Sequence, residues 1–201
     1  MLGVILCGGK SSRMGTDKGL IAFQSNNNTH PITTWTDIAS KKLVAAGVPF
    51  VVSVNKEQYP TYSTLFSSDQ LVVDNEKLTI RGPLYGLLSV HMQYPDQALF
   101  VLACDMPLMT TEILKELLQQ HNQHPKQQAF LYTNNNEPEP LCAIYKPNAL
   151  QYILYLYQTG QLLKHSMKFM LEHIPVFSIP LNEEQKKSFQ NFNAHSELNG
   201  L

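Results

Sequence analysis

The sequence predicts one α/β domain over residues 1–201, a three-layer arrangement in which a mostly parallel sheet carries helices on both faces. Three observations predict it. Strand-like runs alternate with helical stretches through the first two-thirds of the chain. The first run, "LGVILC", and the strongest, "ALFVLACD", are unbroken apolar segments of the kind buried on both faces of a parallel sheet. The 201 residues suffice for one packed core, with no linker or internal repeat to mark a second unit.

Strand Leu2–Cys7 opens the chain and is followed by a loop from Gly8 to Lys18. "GLIAF" continues as a short extended piece and ends at the turn "QSNNNTHP". From Ile32 to Ala46, the spacing of Ile32, Trp35, Ile38, Ala39, Leu43 and Ala46 suits an amphipathic helix that Gly47 can cap. "PFVVSVN" reads as a second strand. Residues 56–70 show no clear period, and "LVVD" at 71–74 is a short strand. "NEKLTIRGP" is a loop and "LYGLLSVHMQY" a helix, and "ALFVLACD" follows. "TTEILKELLQQHN" is a helix whose first turn, Thr110, Thr111 and Glu112, suits capping. "QAFLYTN" and "LCAIYK" are two strands separated by the proline-rich "NNNEPEP". Two helical stretches, "NALQYILYLYQ" and "LLKHSMKFMLEHI", lead to a last strand, "VFSIPL". The asparagine clusters at 26–28 and 134–136 read as turns.

Composition excludes several classes. The formal net charge is -1, with lysine and arginine scattered, so the concentrated positive charge of a nucleic-acid surface is missing. No apolar run is long enough to span a bilayer, and "MLGVILCGG" lacks the basic region of a secretory signal. The expectation is a cytoplasmic protein with no nucleic-acid or membrane partner. Cys7, Cys104 and Cys142 are odd in number, and their spacing suits no zinc motif, so they are expected as reduced core residues. His121 and His124 share a helix face in a polar helix end. They are expected to be solvated and to hold no metal.

Ligands of parallel α/β sheets bind at the carboxyl ends of the strands, and three polar clusters fall there. In the opening loop, "GGKSS" looks like the end of a Walker A motif, but the required first glycine would be residue 4, which is Val4. Val4, Ile5 and Leu6 are moreover the natural interior of a buried strand. What remains is a longer loop from Gly8 to Lys18. It is either a glycine turn with solvated basic residues or a phosphate cradle. In the second case Gly8 and Gly9 allow close backbone approach, and Arg13 and Lys18 supply permanent charge. The conjunction of Gly8, Gly9, Arg13, Gly15, Asp17 and Lys18 directly after a buried strand favours the cradle. Asp105, in "ACDMP", ends the most buried strand and is either a capping acid or a magnesium ligand. The third cluster, "VVDN…IRGPLYGLLS", places Asp74 after a short strand and Gly82-Pro83 at a helix start.

Together these residues resemble nucleotidyltransferases that transfer NMP onto a phosphorylated acceptor. "LCGGKSSRMGTDK" is similar to that superfamily's L-x-G-G-x-S-x-R-M-G-x-D-K signature, with Cys7 where alanine is common. "DKGLI", "RGPLYGLLS", "ACDMP", "EPLCAIY" and "NFNAHSEL" resemble, in order, motifs of the molybdenum cofactor guanylyltransferase (MobA) family, over nearly the whole chain. The resemblance implies a Rossmann-like sheet, GTP as donor, Mg²⁺ as cofactor and molybdenum-molybdopterin as acceptor. Other molybdenum cofactor biosynthesis proteins or molybdoenzyme chaperones are the partners it suggests. It also implies that Leu6, Cys7, Gly8 and Gly9 contact GTP through the backbone and that Lys18 contacts it through its ammonium. Asp74 and Asp105 match nucleotide-site aspartates, Asp105 being the magnesium ligand. Asn55 matches the nucleotide pocket, a role Ser53 could take instead. Gly82 and Asn193 fall on the acceptor or metal side. Arg13, Lys18 and Asp105 form the expected catalytic set.

Two departures from the family pattern stand out. "SNNNTHPITTW" replaces a Gly-Lys-Pro-Leu turn, and Ala194 and His195 replace the threonine and proline of an N-x-N-T-P ending. Alternatives to the guanylyl reading are a related enzyme using CTP with the same cofactor or a sugar-phosphate acceptor, and a non-catalytic cofactor-binding protein.

Overall fold

Strand alternation decides which face of the sheet each residue serves. In β1 (Leu2–Leu6), Val4 and Leu6 enter one core, while Ile5 and the following Cys7 enter the other. The computed structural model describes residues 1–8, 17–23 and 33–192. After β1 the chain forms a 3₁₀ turn at Lys18–Leu20 and a small antiparallel pair, β2 (Ala22–Phe23) with β3 (Thr33–Thr34). Helix α1 (Trp35–Ala45), β4 (Phe50–Val54), α2 (Tyr59–Tyr62) and β5 (Leu71–Val73) follow. Next come α3 (Pro83–Gln93), β6 (Leu99–Ala103), α4 (Thr111–Gln123), β7 (Ala129–Asn134) and β8 (Glu137–Tyr145). The chain continues through α5 (Pro147–Gln158), α6 (Met167–Leu171), β9 (Val176–Pro180) and α7 (Glu183–Lys186).

The main sheet has the order β5-β4-β1-β6-β8-β7-β9. β5, β4, β1 and β6 are parallel, β9 is parallel to β7, and β8 runs antiparallel to both of its neighbours. The expected mostly parallel sheet is therefore present, with one reversed strand. One core gathers Leu84, Leu87 and Leu88 of α3 with Leu150 and Ile153 of α5. The other gathers Ala39 and Leu43 of α1 with Ile113, Leu114 and Leu117 of α4. Helices thus cover both faces. Leu6 is in register with Ser53 of β4 on one side and with Ala103 of β6 on the other. The carboxyl ends of these strands therefore lie level, and whatever follows each strand meets its neighbours there.

Four elements differ from the sequence expectation, each for a local reason. Helix α1 begins at Trp35 because Thr34 and Asp37 form a reciprocal capping box, with hydrogen bonds of 3.2 and 2.9 Å. Its end is as expected: Gly47 at φ +80° donates to Val44 O and Val48 N–H donates to Leu43 O, both at 2.9 Å. "GLIAF" begins as a 3₁₀ turn, because the Asp17 carboxylate caps the Gly19 N–H at 3.0 Å. "NNNEPEP" is mostly strand. Asn135 and Asn136, at φ +50° and +66°, make a two-residue hairpin turn, and β8 starts at Glu137. Pro138 and Pro140 fit because β6 pairs with β8 only from Cys142 onward, so their missing N–H groups interrupt no ladder there. "LLKHSMKFMLEHI" is helical only over Met167–Leu171, where the Ser166 hydroxyl accepts from Phe169 N–H at 3.2 Å. The asparagine cluster at 26–28 and Ile32 lie outside the described residues.

Cys7, Cys104 and Cys142 are free and buried, as expected. His121 and His124 are half-buried instead of solvated. The first sits edge-on to Phe130 at 5.3 Å and the second stacks on Phe177 at 4.1 Å, since imidazole presents an apolar face to a ring. Among the described residues no helix is long and apolar enough to cross a membrane.

Candidate active site

The level strand ends bring the sequence candidates together. Leu6, Cys7 and Gly8 close β1, Asn55 follows β4, Asp74 follows β5, and Asp105 lies two residues beyond β6. Gly82 precedes α3, and Lys18 opens the 3₁₀ turn at the far end of the opening loop. Gly9, Arg13 and Asn193 lie outside the described residues.

A cavity of about 460 Å³ opens between β1, β4, β5 and the start of α3, with Leu6, Gly8, Ser53, Asn55, Asp74 and Gly82 among its walls. This volume falls in the range of small-molecule sites. Asp74 is held at its edge by two bonds. Its N–H donates to Val54 O at 2.9 Å, and the Ser53 hydroxyl donates to its Oδ1 at 3.4 Å. Burial pushes the Asp74 carboxyl up to about 6, and the Ser53 hydrogen bond opposes that rise only in part. Asn55 also lines the cavity, but its Oδ1 already accepts the Gln58 N–H at 2.9 Å. Ser53 and Asn55 thus both belong to the pocket, the first through its bond to Asp74.

Sequence reasoning did not single out Ile80, Arg81, Tyr85 or Gly86, which with Pro83 complete the cavity. The signal was the motif "RGPLYGLLS", whose glycines do two different things. Gly82 adopts φ +78°, a backbone region that side chains rarely enter. Gly86 allows α3 to lie directly on the strand ends, since a Cβ there would come within 2.6 Å of Ser53 Oγ and 3.0 Å of Leu6 Cδ2.

Lys18 and Asp105, 87 positions apart, meet as an ion pair, Nζ to Oδ2 at 3.2 Å. Both remain part-exposed, so the pair is not sealed in the core. Asp105 is fixed from behind. Its carbonyl accepts the Phe192 N–H at 3.1 Å, and Met106 and Met109 are buried beside it in the core. Lys42 of α1 donates to Pro107 O at 2.5 Å, with burial pulling its ammonium down to about 8. Lys18 is fixed through its neighbour Asp17. The Asp17 carboxylate accepts the Gly19 N–H at 3.0 Å, the Tyr62 hydroxyl at 3.1 Å and the Gln58 amide at 2.6 Å. Among the described residues no three His, Cys, Asp or Glu side chains gather into a metal cage.

A lysine and an acid thus meet at the ends of parallel strands, and a pocket of small-molecule size opens at the same end of the sheet. The chain belongs to the family of the MobA-like NTP transferase domain, whose model matches residues 3–174. It is 28% identical over 197 residues to a probable molybdenum cofactor guanylyltransferase of Flavobacterium johnsoniae, covering 98% of this chain and 94% of that protein. A probable molybdenum cofactor guanylyltransferase of Thermococcus sibiricus is likewise 28% identical, over 98% of this chain and 95% of its own. Among solved structures, the fold is similar to molybdopterin-guanine dinucleotide biosynthesis protein A from Archaeoglobus fulgidus. That match has a TM-score of 0.76 at 21% identity, covering 99% of this chain and 95% of the other.

Proposed function

We propose that this chain transfers GMP from GTP to the terminal phosphate of molybdenum-molybdopterin, releasing pyrophosphate and giving the guanine dinucleotide form of the cofactor. The observation that carries the reading is the pairing of a base-sized pocket around Asp74 with the Lys18–Asp105 pair at the same strand ends. The names of the relatives supply the acceptor.

Hydrogen-bond chemistry supports guanine as the base. Its N1–H and N2–H groups are adjacent donors on one edge, a pattern that adenine, cytosine and uracil lack. An ionised carboxylate accepts both, and Asp74 is the carboxylate of the pocket, with Leu6, Ile80 and Pro83 as apolar walls. In the transfer, an oxygen of the acceptor phosphate bonds to the α-phosphorus, the bond from that phosphorus to the bridging oxygen breaks, and pyrophosphate departs with the electron pair. A phosphate monoester is already largely ionised near neutral pH, so no side chain need act as general base. Lys18 steadies the departing phosphates.

Magnesium fits this donor set. One carboxylate at a strand end, with nucleotide phosphates and waters completing the shell, is the usual way proteins hold Mg²⁺. The Lys18 ammonium beside Asp105 supports a place for positive charge there. Asp105 would hold the ion, and when bound it neutralises charge on the phosphates.

The test is pyrophosphate release from purified chain with magnesium, each of GTP, CTP, UTP and ATP, and either molybdenum-molybdopterin or a sugar phosphate as acceptor. Release confined to GTP is expected. Preference for CTP moves the chain to the cytidylyl alternative, and release only with a sugar phosphate overturns the acceptor.

A further inference from the structure

Gln58 stands outside the residues assigned above, yet its side chain joins three segments of the site. Its Nε2 donates to Cys7 O at 2.9 Å and to Asp17 Oδ2 at 2.6 Å, while its Oε1 accepts the Asn55 N–H at 2.9 Å. The orientation of the amide is forced. A carbonyl and a carboxylate both demand the NH₂, and a backbone N–H demands the oxygen. The primary amide has two N–H donors, and both are used.

The partners matter more than their number. Cys7 is where the opening loop leaves β1, and Asp17 is where that loop ends, one residue before Lys18. Asn55 stands at the end of β4 and lines the nucleoside cavity. One amide therefore ties the end of β1 to Asp17 and both to the end of β4. It grips the carboxylate that also receives Gly19 N–H and Tyr62 OH, so the backbone around Lys18 is held from both sides. From this we infer that Gln58 is a positioning residue for the triphosphate, setting Asp17 and the Lys18 ammonium against the end of β1 before nucleotide arrives. The inference rests on the reading that Lys18 holds nucleoside triphosphate.

No other residue type provides this pattern at the same reach. Gln58→Glu still accepts from Asn55 but repels Asp17 and the Cys7 carbonyl, and Gln58→Leu removes all three bonds. Combining Gln58→Glu with Asp17→Asn reverses one bond, so that the new amide at position 17 donates to the new carboxylate at position 58. That pair restores two of the three contacts.

The test is calorimetric titration of the full-length chain, in magnesium buffer, with GTP, CTP, UTP and ATP. The nucleoside of the best triphosphate is titrated alongside. Gln58→Leu should weaken triphosphate binding by about 10- to 100-fold while nucleoside binding changes by less than about threefold. Gln58→Glu should be weaker still, and Gln58→Glu with Asp17→Asn should recover to within about tenfold of wild type. A Gln58→Leu chain that binds triphosphate as wild type does overturns the inference, and so does equal loss of nucleoside and triphosphate. A double variant no better than Gln58→Glu overturns it too, and that arm decides the matter should Gln58→Leu fail to fold. Wild-type chain that binds none of the four overturns the nucleotide reading itself, and this inference with it.

Discussion

The two halves of the site handle charge in opposite ways. At the cavity, Asp74 is a half-buried carboxylate that accepts from the neutral Ser53 hydroxyl, and burial raises it to about 6. At the loop side, Asp105 is matched by Lys18 at 3.2 Å. An acid whose burial outweighs its hydrogen bonding is costly to the fold and is kept where it can recognise a specific pair of donors. A matched pair costs less and presents charge without discriminating among bases. If the proposed roles hold, the difference makes base choice and phosphate handling separable, carried by different strands and open to separate disruption.

The largest effect should come from the loop side. Asp105→Asn keeps the shape of the side chain and removes its charge, so Lys18 loses this ion pair and the site loses its candidate metal carboxylate. Turnover should fall by about 10²- to 10³-fold or more for every nucleoside triphosphate, with the order of preference unchanged and the melting temperature close to wild type. A change in base preference, or wild-type rates, would show that the two halves are not separable as described.

The complementary change is Asp74→Asn. It should lower kcat/KM for GTP by about 10- to 100-fold and that for CTP or ATP far less, because one bidentate contact to guanine is lost. It should also stabilise the free protein at neutral pH by about 1 kcal/mol, allowing for solvent screening, since the displaced carboxylate no longer ionises in a partly buried place. Thermal melts and pyrophosphate-release kinetics on the same preparation read both effects. Loss of guanine preference together with a higher melting temperature is the paired outcome that distinguishes a functional acid from a structural one.

Much of this site was legible in the sequence because its acids follow apolar runs directly. Asp74 after "LVV" and Asp105 after "LFVLAC" can only stand at strand ends, and strand ends are where parallel sheets bind ligands. The rest depends on which segments become neighbours in space. Gln58 lies in a stretch without period, and nothing local marks its amide as a bridge to Cys7 and Asp17. Lys42 looks like a solvated helix lysine until α1 is placed beside Pro107. Pro138 and Pro140 argue for a loop by propensity, and only the late start of the β6 pairing shows why a strand tolerates them. The short α6 is a similar case, since Ser166 competes as a cap with a helical pattern that continues on both sides.

The smallest effect, and the sharpest test of the comparison, is pH. Asp74 has an ordinary value of 3.8 and sits near 6 in the fold. The native chain therefore holds this proton more tightly than the unfolded one, and the stability Asp74 contributes is fully present below about pH 4 and lost as pH rises through about 6. Guanine recognition runs the other way, because the ionised carboxylate is the double acceptor and protonation removes one of its sites. Affinity for guanosine should be flat above about pH 7 and fall as pH drops through 6, reaching about a tenfold loss near pH 5. Guanosine is the right probe because a terminal phosphate of GTP itself gains a proton at about pH 6 and would mask the effect. Asp74→Asn should bind guanosine weakly and without that slope. A slope that survives in Asp74→Asn, measured by calorimetry between pH 5 and 8, would assign the titration to another group and detach Asp74 from base recognition.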